Sequence, residues 1–486
     1  MSLLTLVNTN RMIPPIAPVG VDYLAGAARL AGAAVDVLDL GLTTDADGAL
    51  RRYFSAHSPD LVGLSFRNID DCFWPGGAWF VPELAALVQT IRTLTDAPIV
   101  LGGVGYSIFA GQVLAYCGVE FGIHGDGEEA LPALLDELQG ARRFERVGGL
   151  LWRHDGELRA NPPAWPTRLA IPTRRDAIDN AAYFRQGGQM GVETKRGCNR
   201  HCIYCADPLA KGTALRLRDP AEIADEFQSL LAQGVDVFHL CDAEFNLPVE
   251  HAHDVCGVLI RRRLGERMRW YAYLAVVPFD VALADRMRRA GCVGINFTSD
   301  AASPAMLAAY RQPHRPEDLA TAVRLCRDQG IAVMTDLLLG GPGETPETVA
   351  ESVDFFRRLD PDCAGAALGI RLYPETAVTA RLAAEGPLEA CPGIHRRYGG
   401  PIDLLKPTFY VSPALGERPA RLICDLIAGD PRFFAPNDDV EPGGVPDSGY
   451  NYNENLVLAE AIAQGARGAY WDILRQRHPS TSRPGR

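Results

Sequence analysis

The chain has 486 residues, of which 47% are hydrophobic and 22% charged, as in a globular protein with about three domains of ~150 residues each. Its net charge of −12 argues against nucleic-acid binding, because a protein that binds a phosphate backbone presents a basic face. No apolar run reaches the roughly 18 residues that cross a bilayer, and the N-terminus does not resemble a signal peptide. We therefore expect a cytoplasmic protein with a small-molecule substrate and with neither nucleic-acid nor membrane partners.

Residues 1–140 alternate short Val/Ile/Leu-rich runs with amphipathic helical patterns, beginning with LLTLVNT and GVDYLAGAARLAG. This alternation predicts an α/β domain with a doubly wound, flavodoxin-like parallel sheet, whose ligands bind beyond the carboxyl ends of the strands. The loops expected at those ends are NTNRMIPP, SFRNIDD, GGVGYS and HGDGEE. Glycines in two of these loops would let the backbone approach a large flat ligand, unless they only make turns.

Residues 141–190 contain a predicted hairpin and a proline-rich connector, which indicate a linker. Residues 191–377 then show six strand–helix units, which predict a (β/α)6 partial TIM barrel with its chemistry at the C-terminal ends of the strands. Residues 378–486 are less regular, and we expect a mixed C-terminal addition that binds substrate or closes one mouth of the barrel.

Three cysteines, Cys198, Cys202 and Cys205, follow the first predicted barrel strand in the sequence GCNRHCIYC. A structural zinc site uses four ligands, commonly from two separated pairs, so His201 or Cys241 would have to complete it. Three unligated core cysteines are disfavoured, because the loop between them is polar. A 4Fe–4S cluster fits better, since three thiolates leave one of its four irons with an open coordination position. The neighbouring Lys195 and Arg196 either offset the negative charge of such a cluster or are simply solvated.

The CxxxCxxC motif after the first strand of a βα barrel resembles the signature of the radical S-adenosylmethionine (SAM) superfamily, over residues 190–375. The resemblance implies that SAM binds the open iron and is cleaved by the reduced cluster to methionine and a 5′-deoxyadenosyl radical. It implies that the SAM site contains Tyr204, Asp242, Glu244, Ser299, Asp300 and Gly341.

The implied roles follow the order of the strands. Tyr204 would pack by the adenine, as would the segment LLLGGPGET that contains Gly341. Asp242 or Glu244, in DAEFN, would meet the SAM amino group. The segment NFTSD would contact the ribose and carboxylate, although its Thr298 and Asp300 depart from the Gly and Glu that are common in relatives. The alternative for these acidic residues is helix capping or a buried structural pair.

Most of residues 14–136 resembles the cobalamin-binding domain of one radical SAM subfamily, in the pieces PDLVGLSFRNIDD, APIVLGGVGYS and CGVEFGIHGDGEEALPALL. The motif D-x-H-x-x-G, whose His ligates cobalt in many cobalamin proteins, is absent, and His124 does not fit it. The resemblance implies a cobalt without a protein imidazole and a non-ligating residue below the corrin. Arg67 is the candidate, unless it pairs with Asp70 or Asp71 at the surface. The other residues expected near the corrin or its nucleotide tail are Ser65, Asn68, Gly102, Gly103, Val104, Gly125 and Asp126.

The whole pattern resembles a cobalamin-dependent radical SAM methyltransferase, which moves a methyl group from SAM via methylcobalamin to a carbon of a small molecule. The transfer would follow hydrogen abstraction or, on an electron-rich ring such as indole, be polar. An external one-electron donor, flavodoxin or ferredoxin, is implied. The alternatives are a non-methylating ring contraction, cyclisation or rearrangement with the same cofactors, and a cobalamin-binding sensor with a structural cluster. No catalytic residue is identified, and the aromatic residues that would line the substrate pocket or pack in the core are Tyr271, Tyr273, Tyr373, Tyr450 and Tyr452.

Overall fold

The computed structural model describes residues 2–169, 171–436 and 451–477. The strands of its N-terminal sheet are β1 (Leu3–Asn8), β2 (Ala34–Asp39), β3 (Leu61–Ser65), β4 (Ile99–Gly102), β5 (Phe121–Ile123), β6 (Leu150–His154) and β7 (Glu157–Ala160). They lie in the order β2-β1-β3-β4-β5-β6-β7, with β1 to β5 parallel and the last two antiparallel. The hairpin predicted within residues 141–190 therefore extends this sheet to Ala160.

Helices cover both faces of the N-terminal sheet, as the buried apolar runs of a parallel sheet require. They are α1 (Val19–Leu30), α2 (Ala46–Ala56), α3 (Val81–Arg92), α4 (Val104–Ile108), α5 (Ala110–Cys117) and α6 (Ala130–Gln139). The helices α2, α3 and α5 bury one apolar core against the sheet, and α1 and α6 bury another. This arrangement is the predicted doubly wound domain.

The elements of the central region are α7 (Asn180–Gly187), β8 (Met190–Val192), β9 (Lys195–Arg196), α8 (Asp207–Lys211), β10 (Arg216–Leu217), α9 (Pro220–Ala232), β11 (Val237–Leu240), α10 (Val249–Arg261), β12 (Arg269–Leu274), α11 (Val281–Arg289), β13 (Cys292–Phe297), α12 (Pro304–Tyr310), α13 (Pro316–Asp328), β14 (Ala332–Leu339), α14 (Pro346–Leu359) and β15 (Cys363–Leu368). The elements that follow are β16 (Ile370–Arg371), α15 (Ala377–Glu385), β17 (Ile394–Arg396), β18 (Thr408–Tyr410), α16 (Pro419–Ile427), β19 (Phe433–Phe434), α17 (Leu456–Ala463) and α18 (Tyr470–Arg477).

A second parallel sheet has the order β19-β15-β14-β13-β12-β11-β8, which includes the six predicted barrel strands in sequence order. The predicted fold class is confirmed. The added edge strand β19 comes from the C-terminal region, and its two residues are too few to show a periodic pattern.

Side chains of the barrel strands alternate between two environments, as strand geometry requires. On β12, Trp270 and Ala272 pack into the outer core with the helices, whereas Tyr271 belongs to a separate cluster on the concave side. There α18 lies against the beginnings of the strands, where Trp471 packs edge-on at 5.9 Å from the Tyr271 ring. Tyr271 also donates a hydrogen bond to Asp472 at 2.9 Å, so it helps to close this mouth of the barrel.

A buried ionic network joins the N-terminal domain to the barrel. Arg175 lies 2.6 Å from Asp22 on α1 and 2.7 Å from Glu226 on α9, and Arg218 is 2.6 Å from the same glutamate. All four side chains are fully buried. Breaking one partner of such a network leaves an uncompensated charge, so the network fixes how the two sheets face each other.

Candidate active site

The cysteine loop runs from β9 to α8 and is held at both ends by backbone hydrogen bonds. Cys198 donates to the Gly212 carbonyl at 3.2 Å, and Ile203 donates to the Tyr310 carbonyl at 3.4 Å. Gly197 opens the loop with φ +86°, and a Cβ there would lie 2.1 Å from the Ala214 carbonyl oxygen. Only glycine fits this position, which explains the residue in front of the first cysteine.

The three thiols are free and interact electrostatically. Burial and, to a smaller extent, the nearby Asp300 carboxylate together raise the pKa of Cys202 to about 11. Burial also raises the pKa of Cys198 and Cys205. Thiols with such pKa values stay protonated at neutral pH until a metal centre displaces the proton. Within residues 2–169, 171–436 and 451–477, no group of three His, Cys, Asp or Glu side chains is arranged around a single-ion position.

The two acidic candidates after β11 differ in how they are used. Asp242 accepts hydrogen bonds from the backbone and hydroxyl of Thr194, at 2.8 and 2.5 Å, and from the Lys195 backbone at 3.3 Å. Its carboxylate therefore holds the turn that precedes the cysteine loop. Glu244 accepts one hydrogen bond, from Thr298 at 2.6 Å, and its second oxygen is buried without a partner in the described part of the chain. Of the pair, Glu244 is the residue free to meet a ligand.

Thr298, which departs from the glycine common in relatives, thus joins the ends of the second and fourth predicted barrel strands through Glu244. Burial raises the pKa of Glu244 to about 8. The carboxyl is neutral at pH 7 and can be ionised by a ligand that brings a positive charge.

Tyr204 and Asp300 belong to one hydrogen-bonded group. The Tyr204 hydroxyl donates to Asp300, and the side-chain amide of Gln312 donates to the same carboxylate. Gln312 also lies 3.4 Å from the Cys202 sulfur. Burial raises the pKa of Asp300 to about 7, against the lowering effect of the Tyr204 hydrogen bond. Gln312 lies outside the motifs identified in the sequence, so the sequence does not single it out.

Two further predicted residues support the strand ends through backbone contacts. Ser299 donates to the Asp336 carbonyl at 2.8 Å and accepts from the Asp336 backbone at 3.2 Å, which joins β13 to β14. The Gly341 backbone donates to Tyr310 and to Glu344, both at 3.2 Å. A Cβ at Gly341 would lie 2.3 Å from the Tyr310 hydroxyl, so glycine is needed for this close approach.

A small, partly open pocket lies beside the cysteine loop. It is lined by Arg200, Cys202, Glu244, Ala275, Val276, Val277, Thr298, Gln312, Pro313 and His314. The half-buried Cys202 and Glu244, with its unpartnered oxygen, thus line the same pocket. This donor set, with the free thiols, fits a thiolate-bound cluster with SAM next to it.

Two residues at the carboxyl ends of the two sheets, Arg67 after β3 and Cys241 after β11, indicate a second internal space. Arg67 and Cys241 keep accessible surface although both are deep in the molecule, where burial lowers the pKa of Arg67 and raises that of Cys241 to about 12. The charge of Arg67 acts on Cys241 and Tyr273. Asp70 pairs with Arg371 at 2.8 Å, and the Arg67 guanidinium donates to Asn68 at 3.1 Å. Arg67 is therefore free to face a ligand in this space.

The glycine-rich loop after β4 is shaped for close approach. Gly103 has φ +103°, and a Cβ there would lie 2.6 Å from the Phe66 carbonyl oxygen. The following Val104, at the start of α4, is 38% exposed. Gly102 has only the Ile123 carbonyl oxygen, at 4.0 Å, near its Cβ position, and Ser65 ends the adjacent β3. These residues form a cradle that fits a flat ligand such as a corrin.

The two candidate sites are adjacent, because α4 packs directly on α8. One helix follows the glycine-rich loop and the other follows Cys205. A ligand in the N-terminal cradle would therefore lie next to a cluster in the cysteine loop.

The acidic residues of the loop after β5 form ion pairs with arginines. Asp126 pairs with Arg196 at 3.3 Å and with Arg216. Arg196 also holds Glu128 at 2.7 Å, so its guanidinium serves this junction instead of the cysteine loop. Gly125 has φ +94° and contacts Trp165, where a Cβ would lie 2.8 Å from the indole.

In the same loop, the Nε2 atom of His124 lies 2.7 Å from the Leu209 carbonyl oxygen, a contact typical of a structural histidine.

The predicted aromatic residues lie in different parts of the molecule. Tyr273 lies on the concave side, 5.0 Å from the His239 ring, and Tyr452 lies 5.6 Å from the Tyr470 ring. Tyr373 donates to Cys72 at 3.5 Å. Tyr271 packs against α18, and Tyr450 lies outside the described residues.

In the described ranges, no helix is long and apolar enough to cross a membrane.

The sequence model of the B12 binding domain matches residues 12–135, and that of the Radical SAM superfamily matches residues 192–356. The tryptophan 2-C-methyltransferase of Streptomyces laurentii is 29% identical and aligns with 97% of this chain and 96% of its own.

Two solved structures of the radical SAM methyltransferase TsrM from Kitasatospora setae share almost the whole fold. The structure with tryptophan substrate and a SAM analogue bound has a TM-score of 0.91 at 33% identity and covers 98% of both chains. The structure with cobalamin and a [4Fe–4S] cluster bound has a TM-score of 0.89 at 32% identity, with the same coverage. These findings confirm the predicted cofactors, a 4Fe–4S cluster, SAM and cobalamin, and the predicted enzyme class. The chain belongs to the cobalamin-dependent radical SAM methyltransferases.

Proposed function

We propose that this enzyme methylates a ring carbon of tryptophan or of a closely related indole. The observation that carries the proposal is the extent of the likeness to TsrM, which covers 98% of both chains. It includes the C-terminal region, whose α18 closes one mouth of the barrel next to the central space. A shared cofactor domain alone would not have matched this region.

The space between the sheets supports an aromatic amino acid as substrate. Asp336 lies on the concave side of β14, where burial and then the Asp336 charge raise the pKa of Tyr273. Asp336 also acts on Tyr452. A carboxylate offers a counter-charge for a substrate ammonium group, and tyrosine rings offer faces and edges for an indole.

Each cofactor has candidate side chains. Cys198, Cys202 and Cys205 hold the cluster, and Glu244 faces SAM from across the same pocket. Arg67 would face the corrin of a bound cobalamin. A guanidinium stays protonated and has no lone pair to offer, so Arg67 would not serve as a ligand to cobalt. Cobalamin, when bound, supplies a carrier for the methyl group between SAM and the substrate.

The proposed reaction is polar. An indole ring carbon is electron-rich, so it can take a methyl cation equivalent and lose its proton afterwards. The balance is SAM plus tryptophan giving S-adenosylhomocysteine, methyltryptophan and one proton, without net transfer of electrons. Formation of 5′-deoxyadenosine in step with product would indicate hydrogen abstraction, and deoxyadenosine without S-adenosylhomocysteine would indicate a rearrangement.

We also propose that an external flavodoxin or ferredoxin keeps the cofactors reduced. Arg311, next to Gln312, is exposed and forms no ion pair within the described ranges. It puts a positive charge near the cysteine loop of a chain whose net charge is −12. Acidic small electron carriers would be steered to this charge.

The substrate proposal is tested by anaerobic reconstitution with iron, sulfide and hydroxocobalamin, followed by incubation with SAM and separate aromatic amino acids. Mass spectrometry should show a methyl group on the tryptophan ring and none on phenylalanine or tyrosine. The Asp336→Asn variant should raise the KM for tryptophan more than it lowers kcat, because the carboxylate binds the ammonium group. Methylation of another compound in the panel, with tryptophan untouched, would overturn the proposal.

A further inference from the structure

Gln312 lies in a tight turn directly after α12. Arg311 takes the left-handed conformation with φ +61°, and the Gln312 backbone donates to the Leu307 carbonyl at 2.8 Å. The same turn presents the Tyr310 carbonyl that accepts from Ile203 in the cysteine loop. The turn therefore contacts the loop through its backbone and brings one side chain to the metal ligands.

The side-chain amide nitrogen of Gln312 has three acceptors within hydrogen-bond distance. It lies 3.4 Å from the Cys202 sulfur and 3.4 Å from the Tyr204 hydroxyl oxygen, and it donates to the Asp300 carboxylate. A sulfur ligand and a carboxylate are both acceptors, so the chemistry requires the amide nitrogen on this side. Tyr204 donates to the same carboxylate and holds it in place.

We propose that Gln312 is a positioning residue that raises the reduction potential of the 4Fe–4S cluster through its hydrogen bond to the ligand Cys202. A hydrogen bond to a cluster sulfur offsets the negative charge that the cluster carries, and that charge grows by one unit on reduction. The donor therefore favours the reduced cluster. The inference concerns the cluster alone and does not depend on which substrate is methylated.

The other two ligands differ from Cys202 in the kind of donor that they receive. Backbone N–H groups of Arg200 and Asp207 act on Cys198 and Cys205. A substitution by any residue other than proline leaves those backbone donors in place. Cys202 is the ligand at which a side-chain change can remove one hydrogen bond and leave the backbone contacts of the loop intact.

The test compares anaerobic redox titrations of the reconstituted cluster, followed by electron paramagnetic resonance, in Gln312→Leu, Gln312→Glu and the native protein. Gln89→Leu is the matched control, because Gln89 is exposed on α3 of the other domain. In Gln312→Leu the equilibrium for reduction should fall about tenfold, which is ~59 mV toward negative potential for a one-electron couple. Gln312→Glu should shift the reduction potential further in the negative direction, because this substitution puts a carboxylate beside the Cys202 sulfur.

Iron content is measured alongside, so that a potential is compared only between fully loaded proteins. If both Gln312 variants load the cluster and show the same reduction potential as the native protein and the Gln89→Leu control, the proposal is wrong. If both variants instead lose the cluster while Gln89→Leu keeps it, Gln312 serves cluster assembly only and the proposed tuning is equally overturned.

Discussion

The two cofactor regions of this enzyme differ in whether side chains or backbone form them. Beside the cysteine loop, side chains bind one another around a small pocket, with Glu244 held by Thr298 and Asp300 held by Tyr204. In the N-terminal cradle, the backbone itself forms the surface, and Gly103 brings it within contact of the Phe66 carbonyl. Removing a functional group should therefore damage the barrel site, whereas adding a methyl group should damage the cradle.

The largest effect is expected for Cys202→Ala. Loss of one of three thiolates should abolish the 4Fe–4S absorbance and the methyl transfer, while cobalamin binding survives because the cradle lies on the other domain. Absorption spectra after reconstitution measure both. Cys424→Ala, in a half-buried position on α16, is the control and should keep both cofactors. Loss of cobalamin binding in Cys202→Ala would contradict the separation of the two regions.

The reciprocal change is Gly103→Ala. A Cβ at this position would meet the Phe66 carbonyl oxygen at 2.6 Å in a backbone with φ +103°, so the loop has to move. Cobalamin affinity should fall at least about tenfold, or ~1.4 kcal/mol, with the cluster unaffected. Gly32→Ala has similar backbone strain, with φ +95° and open space around the Cβ, and should bind cobalamin normally. Equal losses in the two variants would show that strain, and not the close approach, matters.

A smaller effect concerns the buried carboxyl of Glu244, whose pKa is raised to about 8 by burial. Its folded-state pKa exceeds the unfolded value, so the folded protein binds more protons and stability falls as pH rises from about 4.5 to 8. The melting temperature of the cofactor-free protein should decrease over this window, and Glu244→Gln should flatten the decrease. The exposed Glu347→Gln variant should keep the native slope, and a Glu244→Gln slope equal to the native one would refute this account.

The smallest expected effect is that of Arg311→Glu. Reversing this exposed charge should slow reduction of the protein by ferredoxin or flavodoxin severalfold at low salt, and added salt should shrink the difference. Reduction by dithionite should be unchanged. Arg51→Glu, on the exposed side of α2, serves as the control. A similar slowing in both variants would mean that the overall charge of the protein, and not the charge of Arg311, attracts the electron donor.

The sequence predicts the order of strands in both domains because each strand and helix carries its own periodicity. It also predicts the cluster ligands, since three cysteines at fixed spacing have few other uses. It does not separate Asp242 from Glu244, because the choice depends on Thr194 and Thr298, which reach them across strands. Gln312 is missed for the same reason, as its contact with Cys202 spans 110 residues. For Tyr271 the structure favours core packing over pocket lining, and the sequence leaves both open because residues two apart on a strand share a face but lie at different depths.

The central claim is that a methyl group passes from SAM through cobalamin to a tryptophan ring carbon, and a two-stage labelling experiment tests it. The reduced, reconstituted protein is incubated with SAM that carries a deuterated methyl group, freed of small molecules, and then given tryptophan without SAM. Labelled methyltryptophan should form in an amount that approaches the cobalamin content, and the protein prepared without cobalamin should give none. A desalted protein that yields no labelled product, while the complete mixture with SAM still methylates tryptophan, would contradict the account.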